Sequence, residues 1–234
     1  FFTEAGGQGS KIIGRVLGGK INARFQNEQS DLKIELDATT PAENFFAHYN
    51  VPLENFAKGN VAWSAIISTS PSREFSFTAT SNFKGFSSSL PAPFNKAQSD
   101  IWDFSLSGNN HQATFLLKNK LNARVLFAKA PDIAVNLLKP LNLNAWQNVA
   151  AVFSESEKQK SQFSTVNNIF FSTPEVLWNQ KSFGRLDLKA NPQKNGWHLA
   201  LNNPNVAGDV FVENKKIRAH FSQLNLPESS DSAG

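Results

Sequence analysis

The residues best suited to chemistry in this chain are four histidines, His48, His111, His198 and His220. No two of them stand at a metal-ligand spacing, and no H-E-x-x-H occurs. His198 and His220 fall on the polar phase of alternating segments, opposite Trp197 and Phe221, and are read as facing solvent. A Ser-His-Asp triad draws on residues far apart in sequence, so spacing alone does not exclude one. No G-x-S-x-G elbow is present, however, and the serines cluster in loops. The carboxylates are scattered, without the close pair that glycoside hydrolysis uses. Gly14-Arg-Val-Leu-Gly-Gly-Lys20 fits G-x-x-x-x-G-K, but a phosphate loop needs Ser or Thr next and then a helix. Position 21 is Ile and begins a strand pattern, so the string reads as a Gly-rich turn between two strands. With no cysteine, disulfides, thiolate zinc, iron–sulfur ligation and a Cys nucleophile are excluded. The sequence predicts no enzyme, no cofactor and no metal.

The elements behind these residues announce themselves by a period of two. Ile21, Ala23 and Phe25 share one phase, as do Leu32, Ile34 and Leu36. The pattern recurs in Val61, Trp63, Ala65 and Ile67, in Phe75, Phe77 and Ala79, and in Trp102, Phe104 and Leu106. Ala113, Phe115 and Leu117 follow, then Leu121, Ala123, Val125 and Phe127. Near the end come Leu186 and Leu188, then Trp197, Leu199 and Leu201, and last Ile217, Ala219 and Phe221. Strict alternation is what a half-buried strand requires. Turn-formers separate the runs: Gly18-Gly19, Gly108-Asn109-Asn110, Asn195-Gly196 and Asn202-Asn203-Pro204. Asn195-Gly196 predicts a type I′ hairpin. Helices are expected at about 41–49, after Thr40-Pro41, and from Asn144 to Ser154, where Trp146, Val149, Ala150 and Phe153 hold helical spacing. Pro131 to Leu138 suggests a further helical turn. Leu90-Pro-Ala-Pro93 is stiff and extended and cannot join a central ladder. Lys20–Phe25, Lys120–Val125 and Lys216–Phe221 share a Lys-apolar-polar-Ala-basic-apolar pattern, which would suit stacked strand units.

Length and composition bound the rest. The 234 residues are 40% apolar and 18% charged, which is not a disordered composition. The aromatics are 21 Phe and 5 Trp against one Tyr, rings that want dry surroundings or an apolar ligand. The net charge of +4 comes from scattered Lys and Arg, densest at Lys215, Lys216 and Arg218, with no basic stripe to meet nucleic acid. The first residue is not Met, so a processed product or a piece of a longer chain is expected. No apolar run approaches the roughly 20 residues of a membrane span. Residues 154–162 read as an exposed loop. Residues 1–227 are expected to form one elongated β-sheet segment, and 228–234 a disordered linker end. The apolar phases have two readings. They are the inner faces of a sandwich or barrel, or one open face kept apolar to hold lipid chains.

Several strings together are similar to the YhdP branch of the AsmA-like/TamB family of Gram-negative envelope proteins. Ser81-Asn-Phe-Lys-Gly-Phe-Ser-Ser-Ser-Leu-Pro-Ala-Pro-Phe-Asn-Lys96 resembles that branch's strand, turn and L-P-A-P-hydrophobic-x-K element. Leu141-Asn-Leu-Asn-Ala-Trp146 resembles its L-x-L-x-A/D-W approach to a helix. Asn195 to Val210 resembles its G-W-x-L-x-L hairpin, which is followed by hydrophobic-x-G-x-hydrophobic. Leu224-Asn-Leu-Pro227 resembles the strand end after it. These strings run in family order across most of the chain, and none is catalytic. The resemblance implies a mostly β fold, an extended, curved antiparallel sheet forming a taco-like groove with two or three short helices. It implies a parent protein in the periplasm, anchored in the inner membrane by an N-terminal helix outside this sequence. It also implies phospholipid as cargo, and the rest of its own chain as partner. The expected groove-lining residues are Phe25, Leu36, Trp63, Phe77, Trp102, Phe104, Phe115, Phe127, Trp197, Leu199 and Phe221. The alternative is a non-catalytic scaffold for outer-membrane assembly, binding proteins through its sheet edges.

Overall fold

The computed structural model describes residues 11–28, 31–70, 72, 74–155, 166–213 and 216–225. The chain divides into two compact units. The first is Phe1–Leu90 with Phe94–Lys118, and the second is Pro91–Pro93 with Asn119–Gly234. Both are built mainly of β-strands laid down in sequence order, with one helix of seven or more residues each among the described residues. The loop expected at 154–162 and the expected linker end at 228–234 fall almost wholly outside the described residues.

In the first unit, seven strands form an antiparallel ladder: β1 (Ile12–Val16), β2 (Gly19–Glu28), β3 (Asp31–Pro41), β4 (Ala57–Thr69), β5 (Phe75–Ser81), β8 (Phe104–Asn109) and β9 (Gln112–Leu117). Each pairs with the next in this order. Helix α1 (Ala42–His48) lies between β3 and β4. Two short strands, β6 (Phe86–Ser89) and β7 (Asn95–Lys96), pair with each other, and β6 pairs with the start of β4. The β1–β2 hairpin turns through Leu17 and Gly18 with φ 49° and 78°. This is the left-handed pair of a tight hairpin, so the G-x-x-x-x-G-K string is indeed a turn between strands.

The second unit orders its main strands β10 (Leu121–Leu126), β11 (Asp132–Leu137), β13 (Asn168–Trp178), β14 (Lys181–Gln193), β15 (Gly196–Asn202), β16 (Val206–Glu213) and β17 (Lys216–Leu224). All these pairings are antiparallel except β11 with β13, which is parallel. A parallel pair needs a long crossover. It is supplied by β12 (Leu141–Asn142) and α2 (Leu143–Glu155). Asn144 anchors α2 to the β13–β14 turn through its side chain, Nδ2 donating to Asn179 Oδ1 at 2.6 Å and Oδ1 accepting from Asn179 N at 2.6 Å.

The alternation-based strands and both helices are found, and three local expectations are corrected. Pro131 to Leu138 is not helical: Ile133, Val135 and Leu137 alternate in β11, and Pro131 stands just before the strand, where it needs no ladder donor. The β14–β15 hairpin turns at Lys194-Asn195, one residue earlier than expected, and neither turn residue has the positive φ of type I′. The positive-φ pair is instead Asn179-Gln180, with φ 49° and 64°, joining β13 to β14. His198 is not simply solvent-facing. Its ring stacks on Phe211 with centroids 4.7 Å apart, and Nε2 lies 2.6 Å from Asp209 Oδ1.

Candidate functional site

Register fixes which side chains share a face, because directly paired residues point to the same side. In the first unit the pairs Phe25↔Ile34, Leu36↔Ala65, Ala38↔Trp63, Ile67↔Phe77, Ala79↔Leu106 and Leu106↔Phe115 run across the ladder in one phase. Phe104, paired with Ser81 and Leu117, belongs to the same phase. Six of the expected residues, Phe25, Leu36, Trp63, Phe77, Phe104 and Phe115, therefore stand on one face of one sheet. No described residue in this phase is charged. We call it the inner face. The opposite phase carries Arg24 beside Glu35 (3.8 Å) and Asp37 (3.5 Å), and Ser64 donating to Asp37 (2.8 Å). Glu35 sits below the ordinary carboxyl range, chiefly through the hydrogen bond from Lys33.

The second unit repeats the arrangement. Leu188↔Leu201, Ala190↔Leu199, Pro192↔Trp197, Leu199↔Val210 and Val212↔Ile217 share a phase. Phe221, opposite Gly208, completes it. Trp197, Leu199 and Phe221 thus share this unit's inner face, again without a charge. Its outer phase holds Lys189 over the Phe170 ring at 5.6 Å, Asp187 clasped by Arg185 through two 2.9 Å hydrogen bonds, and the His198–Asp209 pair.

Two expected residues lie off the strands. Phe127 follows the last residue of β10 and is exposed. Trp102 precedes β8, in an insertion of residues 82–103 whose neck is closed by Trp102 N donating to Asn82 O at 2.9 Å. The centre of that insertion is Lys96, only 4% exposed. Its ammonium donates to the carbonyls of Phe86 (2.9 Å), Ala97 (3.0 Å) and Asp100 (2.6 Å) and lies 5.8 Å from the Trp102 ring centroid. Burial pushes its pKa down, and the Asp100 charge acts in the opposite direction.

What is not buried matters as much. The buried apolar residues are mostly small: Ala23, Ala38, Ala42, Ala57, Val149, Val166, Val176 and Ala190, with Leu117 and Leu137. No Phe or Trp joins them among the described residues, and the one side chain below 2% exposure is Thr173. A face-to-face sandwich would put its largest inward rings at the bottom of the core. Here Phe25, Trp63, Phe77, Phe115 and Trp197 are only half-buried, and Phe221 is exposed.

Sequence reading missed strand β13, whose inner-phase Ile169 and Phe171 extend the second face. Ile169, Phe171 and Thr173 do alternate, but Phe170 beside them and Pro174 after them hide the period. No group of three or more His, Asp or Glu able to hold a metal is found among the described residues.

A family model described as YhdP protein matches residues 1–234. No curated protein and no solved structure matches the chain.

Proposed function

The chain belongs to the YhdP family, and from that premise we propose that it is a periplasmic length of a lipid-carrying β bridge. Its inner faces hold the acyl chains of phospholipids passing between the inner and outer membranes of a Gram-negative cell, and the parent protein is anchored in the inner membrane. Family membership sets the chain among non-catalytic transport and scaffold proteins. No helix among the described residues is long and apolar enough to cross a membrane.

One observation carries this reading: large rings gathered on uncharged faces without being buried there. Leaving such a face in water is costly, at about 25 cal/mol per Å² of apolar surface. An acyl chain laid on it recovers about 0.8 kcal/mol per buried CH₂ and asks for no polar partner. Charge kept to the outer phases suits this use, since a charged group on the inner face would have to be desolvated under the chain.

Native mass spectrometry of the protein purified from a Gram-negative host, followed by lipid extraction, tests the reading. The expected result is co-purifying phospholipid at near-stoichiometric level. Phe77→Asp and Phe115→Asp should each lower that occupancy severalfold while far-UV circular dichroism keeps its β signature. A lipid-free mass, with no later uptake of a fluorescent phospholipid, overturns the reading and favours a protein-binding scaffold. Outright unfolding of both variants would mean that the rings sit in a packed core.

A further inference from the structure

The inner face of the first unit is not open along its whole width. At the end where β3 runs into α1 and where β5 runs into the 82–103 insertion, inner-phase residues are covered: Ala38 and Thr40 on β3, and Leu117 at the end of β9, are all buried. Trp63 turns its indole N–H onto Thr40 Oγ1 at 3.0 Å. At the opposite end, no described inner-phase residue is buried. Phe75 is 39% exposed there, and its ring lies 5.6 Å from that of Phe77.

The insertion contributes a ring to the covered end. Phe83, held at φ +50°, packs its ring 5.1 Å from Phe104, an inner-face residue, and 5.6 Å from Phe86 of its own loop. Phe104 in turn meets Phe115 at 4.9 Å. Phe83 thus lies on the sheet where a ligand's hydrocarbon would otherwise lie. The loop behind it is fixed at several points: the neck at Asn82 and Trp102, Gly85 N donating to Gln98 O at 3.1 Å, and the three carbonyls gathered by Lys96.

Resting on the lipid-carrying reading, we propose that the 82–103 insertion is a fixed stop and that Phe83 marks its edge. Acyl chains in this unit occupy the hairpin-side part of the inner face, over Phe25, Ile34, Ile67 and Phe77, and end against the Phe83–Phe104 contact. The stop gives the face a closed side and an open side, so hydrocarbon enters from the hairpin end of the strands. Lys96 is a positioning residue: it touches no lipid and keeps Phe83 in place.

The test uses the whole chain and a phosphatidylethanolamine carrying a diazirine at the end of one acyl chain, presented in phosphatidylethanolamine and phosphatidylglycerol vesicles. After illumination, labelled residues are mapped by peptide mass spectrometry. In the wild-type protein, label is expected on β2 to β5 inner-phase residues, with severalfold less on Phe104 and Leu117. In Phe83→Ala, label should spread to Phe104 and Leu117 while total uptake holds or rises. Lys96→Met should spread it in the same way if the protein keeps its circular dichroism. Wild-type label as heavy on Phe104 and Leu117 as on Phe77 overturns the stop while leaving the lipid reading intact. No label anywhere on either inner face overturns both. The wild-type map decides the matter even if a variant does not fold.

Discussion

Lys96 shows how one side chain can organise an element without appearing in any pattern. An ammonium with three carbonyl acceptors has all its donors satisfied. Its burial is tolerated for that reason. Lys96→Met keeps the stem but strips three carbonyls of their donor, and each buried acceptor left unpaired costs about 1–3 kcal/mol, less wherever water reaches it. A loss of roughly 3 kcal/mol is expected, read as a lower urea midpoint with an unchanged slope. The position was visible in sequence only as the last residue of the L-P-A-P-hydrophobic-x-K string. Nothing in its spacing says that the lysine is buried, because its acceptors are main-chain carbonyls, which every sequence supplies. A second residue-scale effect is electrostatic. The hydrogen bonds from Arg185 hold Asp187 below the ordinary carboxyl range. A lowered carboxyl pKa adds stability that is complete above the unfolded value and is lost as pH falls through the folded one. Asp187→Asn should therefore lower stability at neutral pH and converge on the wild type in acid, flattening the acid side of the stability profile. The size stays below about 1 kcal/mol, the scale of a solvent-screened pair. Urea melts across the acid range, wild type against variant, check the sign.

At the scale of elements, β16 and β17 give the sharpest case. The ladder between them shifts register between Ala207 and Gly208, and Gly208 has φ +148°. A Cβ there would stand 2.2 Å from His220 O and 2.7 Å from Phe221 Cα, both on the paired strand. Gly208→Ala should thus push β17 away rather than disturb β16 itself, at a cost of roughly 2 kcal/mol of strain and lost pairing. Hydrogen exchange should show faster exchange in residues 216–224 and unchanged protection in β14 and β15. Equal loss across all four strands would count against so local a role. This glycine is the centre of the hydrophobic-x-G-x-hydrophobic string Val206 to Val210, so a resemblance found in sequence acquires a physical reason. The strands themselves were legible because the sheets are one-sided. Lys33 and Glu35 alternate with Leu32, Ile34 and Leu36, and the pairing agrees at every step. Legibility failed where one-sidedness failed. In β13, Phe170 sits on the outer face under Lys189, and two adjacent phenylalanines carry no period. Pro131 suggested a helix start because prolines before strands and at first helical turns look alike in sequence. The Phe83–Phe104 contact was hidden for another reason: it joins residues twenty-one apart through a loop whose path no local pattern encodes.

At the scale of the whole molecule, the two inner faces have a thermodynamic consequence that no single substitution reports. In a compact domain of ordinary packing the heat capacity rises by about 12–15 cal/mol/K per residue on unfolding, because buried apolar surface becomes hydrated. Here much of the large apolar surface is already in contact with water in the native state, since the phenylalanines and tryptophans of both faces are half-buried or exposed. The lipid-free protein should therefore unfold with a heat-capacity change clearly below that range, and saturation with phospholipid should raise it, because unfolding then also exposes surface that the chains had covered. The same hydrated faces should bind 1-anilinonaphthalene-8-sulfonate. Dye binding usually marks a molten globule, which has lost fixed packing and its near-UV circular dichroism. In this protein the dye should instead bind while the tryptophan near-UV signal and a cooperative urea transition are retained, and phospholipid should displace it in a saturable way. The combination is diagnostic: an ordered protein with a wet apolar surface gives dye fluorescence, fixed aromatic signals and a small heat-capacity change together. If dye fluorescence is absent and the heat-capacity change matches that of a compact domain, something covers the faces in solution. The rings would then be acting as a core.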